Sequence, residues 1–251
     1  TSSEPYPHLA GHVRFSDMPA DVRSAFEREA TVTRLQTDEE VSGFGLALVM
    51  DGELGVLPLI AETAAAALGA FDVMRSRGTI DESVGLRLVC MTPEATVATW
   101  SEAQVAQALG ALPWVEEELR EAADRVHAQI AVTLGPFGET LDASLLHDLF
   151  AQLDVRVLLP DEVLLEPGSP HPGLLIAGVG DLVVVDADGQ SVTFDPGAVV
   201  FPGELLTGGQ APALVRAGQR GATVLQANRA QTDELLIVFP PVLELLTKLV
   251  G

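Results

Sequence analysis

The sequence predicts an α+β protein, mainly β, built as two small antiparallel rolls of jelly-roll type in tandem, each flanked by helices. Three observations carry that expectation: an internal repeat running most of the chain, short apolar stretches bounded by Gly and Asp turns, and a helical pattern at both ends of each repeat. Placing "ATVATWSEAQVAQALGALPWVEEEL" (95 to 119) over "ATVLQANRAQTDELLIVFPPVLELL" (222 to 246) puts Ala95 on Ala222, Pro113 on Pro240 and Leu119 on Leu246, all at an offset of 127. Upstream, Gly52-Glu53-Leu54 falls on Gly180-Asp181-Leu182 and Gly69 on Gly197 at 128, while Glu40-Val41 falls on Glu162-Val163 at 122. The slip of six coincides with "EPGSPHPG", which lengthens the second copy. An offset that changes only at a loop marks duplication, so two domains are expected, 13–135 with a linker helix at 113–133, and 136–251.

Each copy opens with a short helix. In "SDMPADVRSAF", Pro19 sits near the first turn with Val22 and Phe26 on one face; "LDASLLHDLFAQL" steps Leu145, Leu149 and Leu153 by four. Strands such as "GLALVM" and "GDLVVVD" follow. A proline then starts the closing helix. In the first copy that helix, "PWVEEELREAADRVHAQIAV", lines up Val115, Leu119, Ala122, Val126 and Ile130, with acids opposite. The stripe fits a helix that joins the two domains while covering the first, or else a homodimer seam.

Charge narrows the partners. The 251 residues hold 14 Lys plus Arg against 36 Asp plus Glu, a formal net charge of −22. Nucleic acid and anionic membrane surfaces need a basic footprint that is absent, so neither is an expected partner. Acids interrupt every apolar stretch before about 18 residues accumulate, which predicts no membrane-spanning helix. The start "TSSEPYPHLAG" lacks the pattern of a secretory signal, which leaves cytoplasmic as the default location. Cys90, the only cysteine, lies in "VGLRLVCM" and reads as a buried small hydrophobe.

In the second copy, "LPDEVLLEPG", then "LLIAGVGDLVVVDADGQ", then "FDPGAVVFPGELL" and "ALVRAGQRGATVLQANRAQTDELL" follow one another in an order that resembles the cyclic-nucleotide-binding domain of bacterial catabolite activators and kinase regulatory subunits. Asp161 stands where that family has a glycine. The resemblance covers nearly the whole chain, twice over. It implies an eight-stranded roll with a leading helix and a trailing helical pair. It also implies where a ligand would sit. In binding members a short helix after Phe-Gly-Glu offers backbone N–H groups to the cyclic phosphate, the glutamate accepts from the ribose 2′-hydroxyl, and an arginine about nine residues later pairs with the phosphate.

Gly203 and Glu204 match the Gly-Glu pair. Aligning "APALVRA" puts Ala211 at the arginine position and Leu214 at the threonine position, and alternation turns Arg216 away from the pocket. Without its cation the cassette reads as a relic. The first copy has no Gly-Glu pair after Gly69, but Arg75 and Arg77 lie in the corresponding region, either as alternative anion contacts, alongside Arg216 in the second copy, or as a solvated loop or a salt bridge to the acidic face. "PFGETL" (136 to 141) repeats Phe-Gly-Glu ahead of a helix and is accidental or a cap.

No catalytic constellation is found. His8 and His12 are spaced as metal ligands can be on a helix, but Pro7 and Gly11 argue for a mobile tail; His127, His147 and His171 read as surface, boundary and loop residues. "GVGD" (178 to 181) is a strand turn without the helix a dinucleotide needs. The expectation is a non-enzymatic regulatory or scaffolding protein, with no metal and no cofactor, that has lost nucleotide binding and acts on a protein partner. The alternative is a sensor that binds cyclic AMP, cyclic GMP or another small ligand through its second domain.

Overall fold

The computed structural model describes residues 6–80 and 84–251. The chain divides into two compact units. The first takes the chain through Leu59, Ala66–Thr79 and Gly85–Ala123; the second takes Ile60–Ala65, Ile80–Val84 and Asp124–Gly251.

The first unit starts with a 3-10 turn (Val13–Phe15) and α1 (Ala20–Glu29). Among the described residues eight strands follow: β1 (Thr31–Gln36), β2 (Glu40–Ser42), β3 (Leu46–Asp51), β4 (Leu54–Pro58), β5 (Ala66–Leu68), β6 (Val73–Arg75), β7 (Leu86–Cys90) and β8 (Glu94–Trp100). The unit ends with α2 (Glu102–Leu109) and the first half of α3 (Pro113–Thr133). Its antiparallel sheets are ordered β1-β8-β3-β6 and β2-β7-β4-β5.

The second unit holds the rest of α3, then α4 (Pro136–Thr140), α5 (Ala143–Ala151), β9 (Asp154–Leu158), β10 (Val163–Leu165), β11 (Leu175–Val185), β12 (Ser191–Thr193), α6 (Pro202–Thr207), β13 (Leu214–Gln226), α7 (Arg229–Val238) and α8 (Pro240–Val250). Its sheet runs β10-β13-β11-β12, with β9 also on β13. Each unit is an antiparallel roll flanked by helices, as expected.

The two units repeat one plan, and their special backbone positions set the register. β11 runs through what β3 and β4 divide, and β13 through what β7 and β8 divide. Gly52 and Gly180 occupy this break with φ of +82° and +93°. A Cβ would lie 2.6 Å from the Glu94 carbonyl oxygen at the first and 2.5 Å from that of Gly221 at the second. Positive φ and a crowded backbone both demand glycine. Gly180→Ala is expected to cost about 1–3 kcal/mol, read as a lowered urea midpoint. Helices α2 and α7 begin with matching capping boxes, Ser101 with Gln104 and Asn228 with Gln231, again at 127.

Two of the offsets expected from sequence differ in the fold. Asp38 and Asp161 share positive φ (+67° and +61°), and the carboxylates of Glu39 and Glu162 accept from Gln36 N and Leu159 N at 2.8 and 2.9 Å. The offset there is 123, pairing Glu39, and not Glu40, with Glu162. The partner of Gly197 is Phe71, and not Gly69, at 126: Phe71 N donates to Val49 O as Gly197 N does to Ala177 O, and both have positive φ (+72° and +80°). A phenylalanine holding a left-handed conformation hides this match, because glycine is the usual marker of such a backbone.

The start of the chain is no mobile tail over its described part. Leu9 and Phe15 are fully buried with Phe26, Leu46 and Trp100, Leu9 N donates to Glu27 at 2.6 Å, and His12 accepts from Arg14 N. Trp100 stacks on Phe26 at 4.6 Å and donates from Nε1 to the Phe26 carbonyl at 2.7 Å, which ties α1 to the roll. His127, expected on the polar side of α3, is buried. The second half of α3 is enclosed on most sides, with Ala128, Ile130, Ala131 and Val132 also inaccessible. Cys90 is buried, as expected, and its thiol points at the Leu35 and Thr92 carbonyls.

Candidate functional site

In the second unit the cassette segment runs from Val199, which bridges to Ile176, through α6 to the start of β13. The residue that needs a left-handed backbone is Phe201 (φ +48°), and α6 follows it with Pro202 in its first turn. Gly203 already lies inside the helix with ordinary φ, and a Cβ there would meet only Val250 Cγ1 at 3.8 Å. Glu204 is half-buried in the first turn of α6, and among the described residues its carboxylate makes no hydrogen bond or ion pair. Helix α6 is held from three sides. Leu205 is buried among Leu235, Val242, Leu245 and Leu246; Arg229 Nη1 donates to the Leu205 carbonyl at 2.6 Å; and Gly208 closes the C-terminus with positive φ.

Ala211, at the position aligned with the family's arginine, is 2% exposed. Its N–H donates to Ser169 O and its carbonyl accepts from Gly168 N, both at 2.8 Å, so the loop that lengthens this copy pairs with the strand entrance. Ala211 belongs to the roll's apolar interior with Val200, Leu165, Leu175 and Val215, against which Phe194 and Phe201 also pack. Arg216 follows strand alternation: Val215 and Ala217 point inward, and its guanidinium reaches Asp161 on the other side. The structure thus brings Gly203 and Glu204 together on α6 and places Arg216 away from them.

His171, read from sequence as a loop residue, is buried beside the cassette. Its Nε2 lies 3.0 Å from the Val200 carbonyl and its own N–H donates to Gly209 O. Burial lowers its pKa below the ordinary value, although the Val200 carbonyl and Glu204 act in the other direction and Arg229 acts with burial. With the folded pKa below the unfolded value of about 6.5, the unfolded chain binds the proton first as pH falls. Stability of the second unit is therefore expected to fall as pH drops through about 6.5, by at most about 1.4 kcal/mol per pH unit. His171→Gln, which retains a donor for Val200, should flatten that dependence in urea melts between pH 7 and 5.

In the first unit Arg75 ends β6 and its side chain is 2% exposed. Nη1 donates to Gly45 O at 2.7 Å and to Glu102 Oε2 at 2.7 Å; Nη2 donates to Glu102 Oε1 at 2.8 Å and to Glu116 Oε1 at 2.7 Å; Nε donates to both Glu116 oxygens. One guanidinium thus joins β6 to the first turns of α2 and α3. Burial opposes its charge, but the hydrogen bonds it donates to Glu102 and Glu116, with their negative charges, outweigh that and raise its pKa. The bond from Arg75 holds the Glu102 carboxyl below the usual range, against its partial burial. Arg77 is exposed, with Nε 3.9 Å from Glu102. Sequence reasoning singled out Arg75 and left open a salt bridge to the acidic face, which is what forms, but did not name the two glutamates, which lie 27 and 41 residues further on. The run of acids in α3 was the available signal for Glu116; α2 holds a single acid, Glu102.

Elsewhere, "PFGETL" forms the one-turn helix α4, followed by Asp142 as the N-cap of α5. Among the described residues no three His, Cys, Asp or Glu are placed to hold a metal, and no helix is long and apolar enough to cross a membrane.

No family model matches the chain. No curated protein matches it either. Among solved structures it is similar to the regulatory subunit of a cAMP-independent protein kinase A from Trypanosoma brucei (17% identity over 94% of this chain and 86% of that one, TM-score 0.41). The corresponding subunit from Trypanosoma cruzi, bound to guanosine, is similar at 17% identity over 94% and 83%, TM-score 0.39. The catabolite activator protein of Thermus thermophilus matches 46% of this chain and 56% of its own, at 19% identity and TM-score 0.41.

Proposed function

We propose that the chain is a non-catalytic regulatory or scaffolding protein made of two cyclic-nucleotide-binding-like domains, 13–135 and 136–251, that have lost nucleotide binding and act through protein–protein contacts. The observation that carries this reading is Ala211. A cyclic phosphodiester needs a charge-matched donor at that position, and there the second roll has a buried methyl group whose backbone is already paired to the 168–169 loop. Glu204 alone adds a negative charge where a phosphate would lie. In the first roll Arg75, the buried guanidinium of the cassette region, is shared between two carboxylates and a carbonyl, so an anion would have to displace both acids.

Isothermal titration with cyclic AMP and cyclic GMP tests the reading. No saturable heat is expected up to about 1 mM ligand, a bound of roughly −4 kcal/mol. Binding tighter than about 10 μM (roughly −7 kcal/mol) that is abolished by Glu204→Ala would establish the sensor reading in its place.

A further inference from the structure

One cleft in the first unit remains without a role. It encloses about 500 Å³ between the segment after β6, α2 and α3, with Ala106, Leu109 and Pro113 on its apolar side; its charged lining is Glu102, Glu116 and Glu117 against Arg75 and Arg120, an excess of one acid. The internal duplication says what such a space can hold. In the second unit the chain after the cassette strand turns into α6, which inserts Leu205 among the apolar residues of α7 and α8 and has its Leu205 carbonyl held by Arg229, the first residue of α7.

In the first unit the matching segment, 76–80, is not helical. The offset of 126 places Thr79, which lines the cleft, where Leu205 stands, and the next residue, Ile80, is buried with Ala131 and Val179 of the second unit, to which it belongs. The counterpart of Arg229 at 127 is Glu102, and the counterpart of Leu243 is Glu116. Over these residues the first unit therefore lacks the turn of helix that its duplicate inserts, and it carries carboxylates where the duplicate has a cation and a leucine. Both carboxylates serve Arg75, and Arg77 also lies 3.9 Å from Glu102, yet their side chains stay 40% and 25% exposed, leaving lone pairs open to a further donor.

We propose that this cleft docks one amphipathic helical turn of a partner protein, an apolar residue flanked by arginine or lysine. The proposal rests on the protein-interaction reading and supplies the chemistry of the partner. A basic segment also matches the net charge of −22.

The probe is a synthetic peptide spanning residues 200–209 with Glu204→Arg, capped at both ends, titrated into the isotope-labelled full chain and followed by amide NMR shifts. Saturable shifts are expected at Thr79, Ala106, Leu109 and Gly110. The peptide with the original Glu204 should bind about tenfold more weakly, since it sets an acid against acids. Ala106→Phe, a change at an exposed position that fills the groove, should abolish the shifts and leave the remaining spectrum in place. No saturable shift at these residues by about 2 mM peptide, or shifts indifferent to Ala106→Phe, overturns the proposal. The parallel nucleotide titration separates the two readings: nucleotide binding alongside peptide binding overturns the loss of nucleotide binding alone, and silence from both ligands overturns the groove alone.

Discussion

Arg75→Met is expected to lower the stability of the first unit by about 3 kcal/mol, at the low end of the range for breaking a buried ion pair because both acids keep some access to water. The substitution preserves much of the side-chain volume but leaves the carboxylates of Glu102 and Glu116 facing each other with their shared cation gone, and the Gly45 carbonyl without its donor. Adding Glu102→Gln and Glu116→Gln should recover most of the loss, because the cost lies in uncompensated charge more than in missing contacts. The pH dependence has a definite sign. The folded pKa of Glu102 is depressed, so its contribution is complete above the unfolded value of about 4.3 and is lost as pH falls through the folded value. Wild-type protein should therefore show an acid-sensitive component below about pH 4.3 that Arg75→Met lacks. Urea melts at several pH values measure both effects, and a loss under about 1 kcal/mol at pH 7 would mean that the triad contributes little.

The second large effect concerns the position that decides the functional reading. Ala211→Arg restores the residue type that the family resemblance calls for, yet it should not create a nucleotide site. The alanine is enclosed by Val200, Leu165 and Val215, and both its backbone groups are bonded. An arginine there must overpack the roll, at about 1–3 kcal/mol, and either bury its charge or push the 168–171 loop aside. A total loss of about 3 kcal/mol or more is expected from chemical denaturation, with Ala211→Gln, shorter and uncharged, losing less. A variant that folds with unchanged stability and binds cyclic AMP would show that the pocket exists and lacks only its cation.

The duplication was legible in the sequence because its markers are local and conformationally demanding. Gly52 and Gly180 recur where the backbone permits only glycine; the caps of Ser101 and Asn228 match only in the structure. The cassette was legible only in part. Gly203 matched the family's glycine by letter, yet the left-handed residue ahead of α6 is Phe201, so the match does not carry the conformational reason for a glycine.

What escaped was long-range. Arg75 finds its partners on two later helices, and nothing in "VMRSR" announces them. His171 lies between two prolines, as loop residues do, and is buried because the 168–171 segment pairs with 209–211. The helix that follows each roll is tied back to the cassette region by its first residue, Glu102 accepting from Arg75 in one copy and Arg229 donating to the Leu205 carbonyl in the other. That relation emerges only when the copies are matched on their hydrogen bonds.

The central claim is that the second roll offers a cyclic phosphodiester no grip. Amide NMR of the full chain with about 5 mM cyclic AMP tests it most directly, reading residues 199–211. Unmoved resonances across α6 and at Ala211 are the predicted result. Saturable shifts centred on Glu204 and Ala211, removed by Glu204→Ala, would contradict it.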